Sequence, residues 1–483
     1  MEDTVATHSL RCSLAVLAGL AGCNDSATSS ATNTADCTTP ACGSSQSETS
    51  TVGAPTGTAD GTSDVSGSTA SDPICGDGIV EAPEQCDGSR FAGVVCPESC
   101  RFAAGTVLWE TTFDWKQQRD YGSAIAFDAG AVVIAGAAGE PSGPHPLLLW
   151  VSDEGGVTQA VVRDSRGPVN TGPQWASHIH TDDAGFVVVG SDLRPDAWLA
   201  RYAHDGELVW ETIYATGDLD SGTHGNNAAT LEDGRIALFG EVDLGGEFPA
   251  FIATFDEGLL VDEQFFAGPP RGSPTYSNPS GLRGVLLSGS DVVIAGSGRT
   301  SEARVPWMQR RVLGRDAVWG ITLESQAGQL IDGFTAVAVR PDGSIVATAH
   351  RELDDAELRD AWVGAFSPDG EQLWSDTYTG EYHRDDRPTG IAADAQGNVF
   401  VHLTLSDDNH PQPEANYDLV VIKYGASGNR EWIDRWSGPG SSDGLMSWDS
   451  SGAIAIDADG FVVVTGSTIV GDNHDVVVRK LAP

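Results

Sequence analysis

The chain has 483 residues, with 27 Lys and Arg against 69 Asp and Glu, a formal charge of −42 at neutral pH. Residues 1–100 hold 2 basic and 13 acidic groups, a net of −11, which leaves −31 for the remainder. No segment forms a basic stripe, so the footprint that would engage phosphate backbones is missing and no nucleic-acid partner is expected. All eight cysteines (12, 23, 37, 42, 75, 86, 96 and 100) lie in the first hundred residues, so the body that follows is expected to hold by packing alone.

Ser13 to Gly22 is a short apolar run preceded by Arg11 and ended by Cys23. It is too short to span a bilayer and has the character of a signal-peptide core, giving a signal peptide over 1–22. Glu2 and Asp3 depart from the usual positive start of such a segment. Leu20-Ala-Gly-Cys23 resembles the lipobox of bacterial lipoproteins. That resemblance implies diacylation of Cys23 and a membrane partner through the lipid anchor. It also implies an extracytoplasmic address in the cell envelope, at the outer membrane; two acyl chains give durable attachment.

Residues 23–73 are Ser, Thr, Ala, Gly and Asp with almost no large apolar side chain. They bury too little to offset ordering entropy and form a disordered tether. Cys37 and Cys42 fall inside it and could pair locally.

A cysteine-rich segment occupies 74–101, spelled Cys75-Gly-Asp-Gly and Glu84-Gln-Cys86-Asp87-Gly, then Cys96-Pro-Glu-Ser-Cys100. Cys75, Cys86, Cys96 and Cys100 suggest two disulfides, with the pairing left open, in an oxidising setting. The segment resembles the short CGDG and EQCD repeat of secreted bacterial proteins. Asp77, Glu84 and Asp87 could ligate Ca2+, although three carboxylates leave a calcium shell incomplete and a solvated acidic loop competes with that assignment.

From 105 to 483 one unit recurs. Trp198 and Trp210, Trp307 and Trp319, and Trp362 and Trp374 bracket polar turns, each pair twelve residues apart. A period of about 50 residues built from short β-rich runs indicates a closed array of the propeller kind. Each unit begins with a small apolar run such as Ala124 to Phe127, continues through an Asp-to-Gly turn such as Asp394 to Gly397, and then carries a β-branched run. Those runs start at Val132, Val187, Ile236, Val292, Ile345, Val399 and Val462, and each is expected to be a strand buried on both faces. A polar loop leads to a third strand, and a glycine turn to a fourth marked by Trp210, Trp374 or Trp432. The fold class is thus all-β, a seven-bladed propeller of four-stranded antiparallel blades.

The last unit stops at Pro483 with no tryptophan strand after it, whereas Val107-Leu-Trp-Glu-Thr resembles Val209-Trp-Glu-Thr. The N-terminal segment is therefore expected to supply the last blade's missing strand and close the ring. Asp386 to Phe400 is similar to the bacterial SBBP-type repeat of seven-bladed propellers, which implies a fold and an extracellular setting and no catalytic residue.

Trp109, Trp210, Trp319, Trp374 and Trp432 could stack sugars, but their fixed place in the repeat assigns them to packing. Asp407-Asp-Asn-His410 and Asp472-Asn-His474-Asp475 share an order and fall between second and third strands, so a divalent metal could use Asp407, His410, Asp472, His474 and Asp475. The competing assignment is a solvated rim. No Gly-x-Ser-x-Gly, His-Glu-x-x-His or phosphate loop occurs, and no catalytic residue and no organic cofactor is assigned. The chain is expected to be a monomeric, non-catalytic scaffold for an extracytoplasmic protein or polysaccharide. The alternative is a propeller enzyme with a loop-built site, either like a quinone-dependent dehydrogenase or glycan-cleaving.

Overall fold

The computed structural model describes residues 75, 84–87, 90–91, 94–139, 143–163, 173–192, 196–216, 222–242, 249–266, 277–299, 304–323, 329–353, 358–381, 385–406, 416–441 and 447–483. The signal segment, Cys23, the tether with Cys37 and Cys42, Asp77, Asp407 and His410 lie outside the described residues.

Seven antiparallel sheets of four long strands follow one another along the chain, and no described residue is helical. Blades 1 to 6 occupy 121–162, 173–214, 223–266, 277–322, 329–378 and 386–436. Blade 7 combines Ser450–Ile456, Val462–Gly471 and Asn473–Leu481 with Val107–Phe113 from the other end of the chain. The first strand of every blade touches the first strands of both neighbours, blade 7 meeting blade 1, so these seven strands form the inner wall of a closed ring. The seven β-branched runs are the second strands, buried on both faces as their composition requires.

Closure is by pairing. Val107–Phe113 lies antiparallel to Asn473–Leu481, with Val107 opposite Leu481 and Phe113 opposite Val476. Leu108 and Trp109 enter an apolar cluster with Val132, Leu147, Val476 and Val478. The expected loan of a strand is therefore present.

Connections divide between two faces. The tight turns joining first to second and third to fourth strands emerge on one face, and the longer connections emerge on the other. The tryptophans of the fourth strands lie on the first of these, each against the turn glycine of the next blade. Trp109 meets Gly155, Trp210 meets Gly258, Trp319 meets Gly370, Trp374 meets Gly428, and Trp432 meets Gly105. Trp109 and Trp319 also donate their indole N–H to Asp153 O at 2.8 Å and Pro368 O at 2.9 Å. These rings bind blade to blade.

Blade 3 ends in Leu259–Phe266, which has no tryptophan, and Gly314 of blade 4 accordingly faces nothing within 4 Å. The pair supplies a control. Gly428 has φ +88° and a Cβ there would stand 2.5 Å from Trp374, whereas Gly314 has φ +77° and open space. Gly314→Ala should cost about 1 kcal/mol from backbone strain alone, and Gly428→Ala about 2–4 kcal/mol because the indole must move. Equal denaturant midpoints for the two variants would remove the packing role of the tryptophan.

The cysteine-rich segment pairs Cys75 with Cys100 and Cys86 with Cys96. Cys86 and Phe102 share the closing cluster with Leu108, Phe461 and Ala482. Phe91 stacks on Phe461 at 4.9 Å. Lys480, 1% exposed, lies over both rings and pairs with Asp457 at 2.8 Å and with Asp153. The segment thus covers the seam between blades 7 and 1 on the turn face.

Candidate ligand site in the central channel

Each first strand carries an extra residue relative to its second strand, at the same level in all seven blades. A bulge of this kind bends the strand and redirects side chains. The bulged residues include Ser123, Ser177, Asn226, Thr335 and Thr389.

The cross-strand registers align the residue that follows each bulge. It is Ala124, Ala336, Gly390 and Ala453 in blades 1, 5, 6 and 7. In the adjacent blades 2, 3 and 4 it is His178, Asn227 and Arg283. The repeat therefore breaks on one arc of the inner wall, where three long polar side chains replace small ones.

That arc faces a cavity of about 630 Å³ in the channel, within the usual range for small-ligand sites. The lining runs along the first strands from the ends next to the longer connections, at Tyr121, Arg387 and Ser450, past the bulges to Ile179 and Val337, so the cavity reaches the face of the longer connections. Polar groups around it are mainly Ser, Thr and Asn, with His178, Arg283, His350 and Arg387. Among the described residues no carboxylate lines it, in a chain where acids outnumber bases by 69 to 27.

Two of the three arc residues are partly committed to the wall. His178 Nε2 bonds Ala228 O at 3.1 Å, and Gly284 N donates to Asn227 Oδ1 at 2.9 Å. Burial holds the His178 pKa down to about 3, helped by His180 and Arg283, so the imidazole is neutral. Arg283 is different: among the described residues it has no ion-pair partner, and it keeps accessible surface. Burial lowers its pKa and Glu241 raises it in part; the guanidinium stays charged. Arg387 is paired with Asp385.

The metal candidates are placed differently. Glu84 and Asp87 come within 4.8 Å of each other and of Cys100 Sγ, the one group of three possible ligands among the described residues. That sulfur is bonded to Cys75, which leaves two carboxylates. Asp472 sits in a tight hairpin, and His474 and Asp475 lie within the third strand of blade 7. His474 stacks on Tyr121 at 5.8 Å, while Asp475 accepts from Asn473 Nδ2 at 3.0 Å. These three are not brought into one ligand set.

Asp120, Asp386 and Asp449, unassigned in the sequence, each precede or begin a first strand and accept backbone N–H groups of the connections, from Gly139 at 2.8 Å, Gly380 at 2.6 Å and Gly438 at 2.7 Å. Burial raises Asp120 and Asp386 to about 7. Their shared place ahead of the small apolar run was the available signal.

On the second strand of blade 6, His402 is fully buried, and burial lowers its pKa from 6.5 to about 3. The unfolded chain protonates this imidazole below pH 6.5 while the folded ring resists. The stability tied to His402 is therefore complete above that pH and is lost as pH falls towards 3. Asp120 and Asp386 act oppositely, losing stability as pH rises from 3.8 through 7. Relative to wild type, His402→Gln should gain up to about 1.4 kcal/mol per pH unit between pH 6 and 4. Urea titrations at three pH values measure it, and a pH-independent difference would contradict the burial of a neutral ring.

No protein-family model matches the chain, and no curated protein does. Among solved structures it is similar to the β-propeller domain of Cps50 (Swd1) from Myceliophteria thermophila, at 10% identity, covering 78% of this chain and 100% of that one, TM-score 0.48. It is similar to a PL25 ulvan lyase bound to -[GlcA(1-4)Rha3S]-, at 9% identity over 75% of this chain and 97% of that one, TM-score 0.49. It is also similar to Drosophila Plexin A in complex with Semaphorin 1b, at 9% identity over 79% and 88%, TM-score 0.46.

Proposed function

We propose that the chain is an envelope-anchored binding ring that receives a polysaccharide at the mouth of its central channel. In this scheme Cys23 carries the lipid and residues 23–73 act as the tether. The CGDG/EQCD-type segment and an SBBP-type propeller follow. The observation that carries it is the break of the repeat at His178, Asn227 and Arg283, on three adjacent blades and inside a cavity of about 630 Å³. An element that only built the ring would keep the small residue found in the other four blades.

The test is to probe a glycan array with the full chain, beside a pull-down from envelope extract. Capture of glycans, lost on changing Arg283, is the expected result. Capture of a protein and no glycan would replace the polysaccharide with a protein partner.

A second function, glycan cleavage, is favoured by one observation, the neutral His178 imidazole within the field of the Arg283 charge. A guanidinium beside a sugar carboxylate would steady the charge that develops on proton loss, while the imidazole, held well below its ordinary basicity, would have to regain it once a ligand is bound. Release of new sugar ends during prolonged incubation would select it over binding alone.

A further inference from the structure

We infer that the glycan is acidic and that it is recognised through a single sugar carboxylate seated on Arg283, an inference that rests on the binding function proposed above. Among the described residues Arg283 is the one channel cation without a hydrogen-bonded acidic partner, Glu241 acting on it through space alone. Arg387 is paired with Asp385, and His178 is held neutral by burial. One charge matches a monoanion and falls short of a phosphate dianion. A guanidinium fork fits the two oxygens of a carboxylate. No carboxylate lines the cavity among the described residues, so an anion seated there meets no acidic side chain on the lining. Ser123, Ser177, Thr335 and Thr389 line the same space; Ser177 and Thr389 donate to the wall carbonyls of Val189 and His402 and Thr335 bonds Thr348, so their oxygens serve a hydroxyl-rich ligand as acceptors. A hexuronate residue combines both properties.

Calorimetry with the full chain tests this, using trisaccharides of galacturonate, glucuronate and mannuronate, their carboxyl-reduced counterparts and a sulfated galactose trisaccharide. At least one uronate should bind, and its reduced form should bind at least about tenfold more weakly. Arg283→Gln should erase that difference while leaving the reduced form's affinity unchanged, and Arg283→Lys should fall between, since it keeps the charge and loses the fork. Thermal unfolding at the wild-type temperature confirms that both variants are folded. Equal binding of a uronate and its reduced form, or an unaltered affinity in Arg283→Gln, would overturn carboxylate recognition and leave a glycan-binding ring. Preference for the sulfated sugar would overturn it in favour of a sulfate ester. Failure of every sugar, on the array as well, would remove the underlying function.

Discussion

Deletion of residues 105–113 should leave a chain that does not fold cooperatively. The segment lies next to the cysteine-rich module, yet it is the outer strand of the last blade. Its loss strips Asn473–Leu481 of one full row of backbone partners and removes Leu108 and Trp109 from the closing cluster. Each of those side chains is worth about 3–5 kcal/mol, and together they approach the whole stability of an ordinary domain. Glu110, which pairs with Arg479 at 3.2 Å, goes with them. A ring also differs from an open sheet in that blades 7 and 1 then lose their shared face. The expected result is a melting temperature lowered by more than about 10 °C, or no transition. A transition at the wild-type temperature would mean that the ring closes by other means.

Lys480→Met is the second large effect. The ammonium is 1% exposed, between Asp457 of a blade 7 turn and Asp153 of a blade 1 turn, with Phe91 and Phe461 beneath it. Methionine keeps the length and packing of the stem and removes the charge. Asp457, which also accepts from Phe461 N at 2.8 Å, would then be mostly buried without its cation. The cost should be about 2–4 kcal/mol, below the full value for a buried pair because Asp153 is half exposed. Adding Asp457→Asn should recover more than about 1 kcal/mol of it, the coupling expected of groups in contact. A Lys480→Met protein as stable as wild type would show the seam to be held by its aromatic contacts alone.

The ring was legible in the sequence because its signals are local. Runs such as Val187 to Val189 are buried on both faces and so are apolar without interruption. The lent strand was legible because Trp109 occupies the slot of Trp210. The position of the cysteine-rich segment was not, since the Phe91 and Phe461 contact joins distant parts of the chain and no periodicity encodes it. The channel arc was hidden by the bulges, whose extra residue breaks the alternation from which facing is inferred. Its trace is nevertheless written in the repeat: Ser177-His178-Ile179 stands where other units have Ser123-Ala124-Ile125 and Thr389-Gly390-Ile391. His474 and Asp475 lie in the third strand of blade 7 and not in the loop before it, because the strand begins at Asn473.

Ser123 lies on the channel wall in blade 1, outside the arc formed by blades 2, 3 and 4. Ser123→Trp would put an indole into the cavity from the blade 1 wall, leaving His178, Asn227 and Arg283 themselves unchanged. The most direct measurement is glycan binding by this full-length variant beside wild type, with thermal unfolding recorded on the same samples. Loss of binding at an unchanged melting temperature is the predicted result, and undiminished binding with an indole in the channel would contradict a ligand site there.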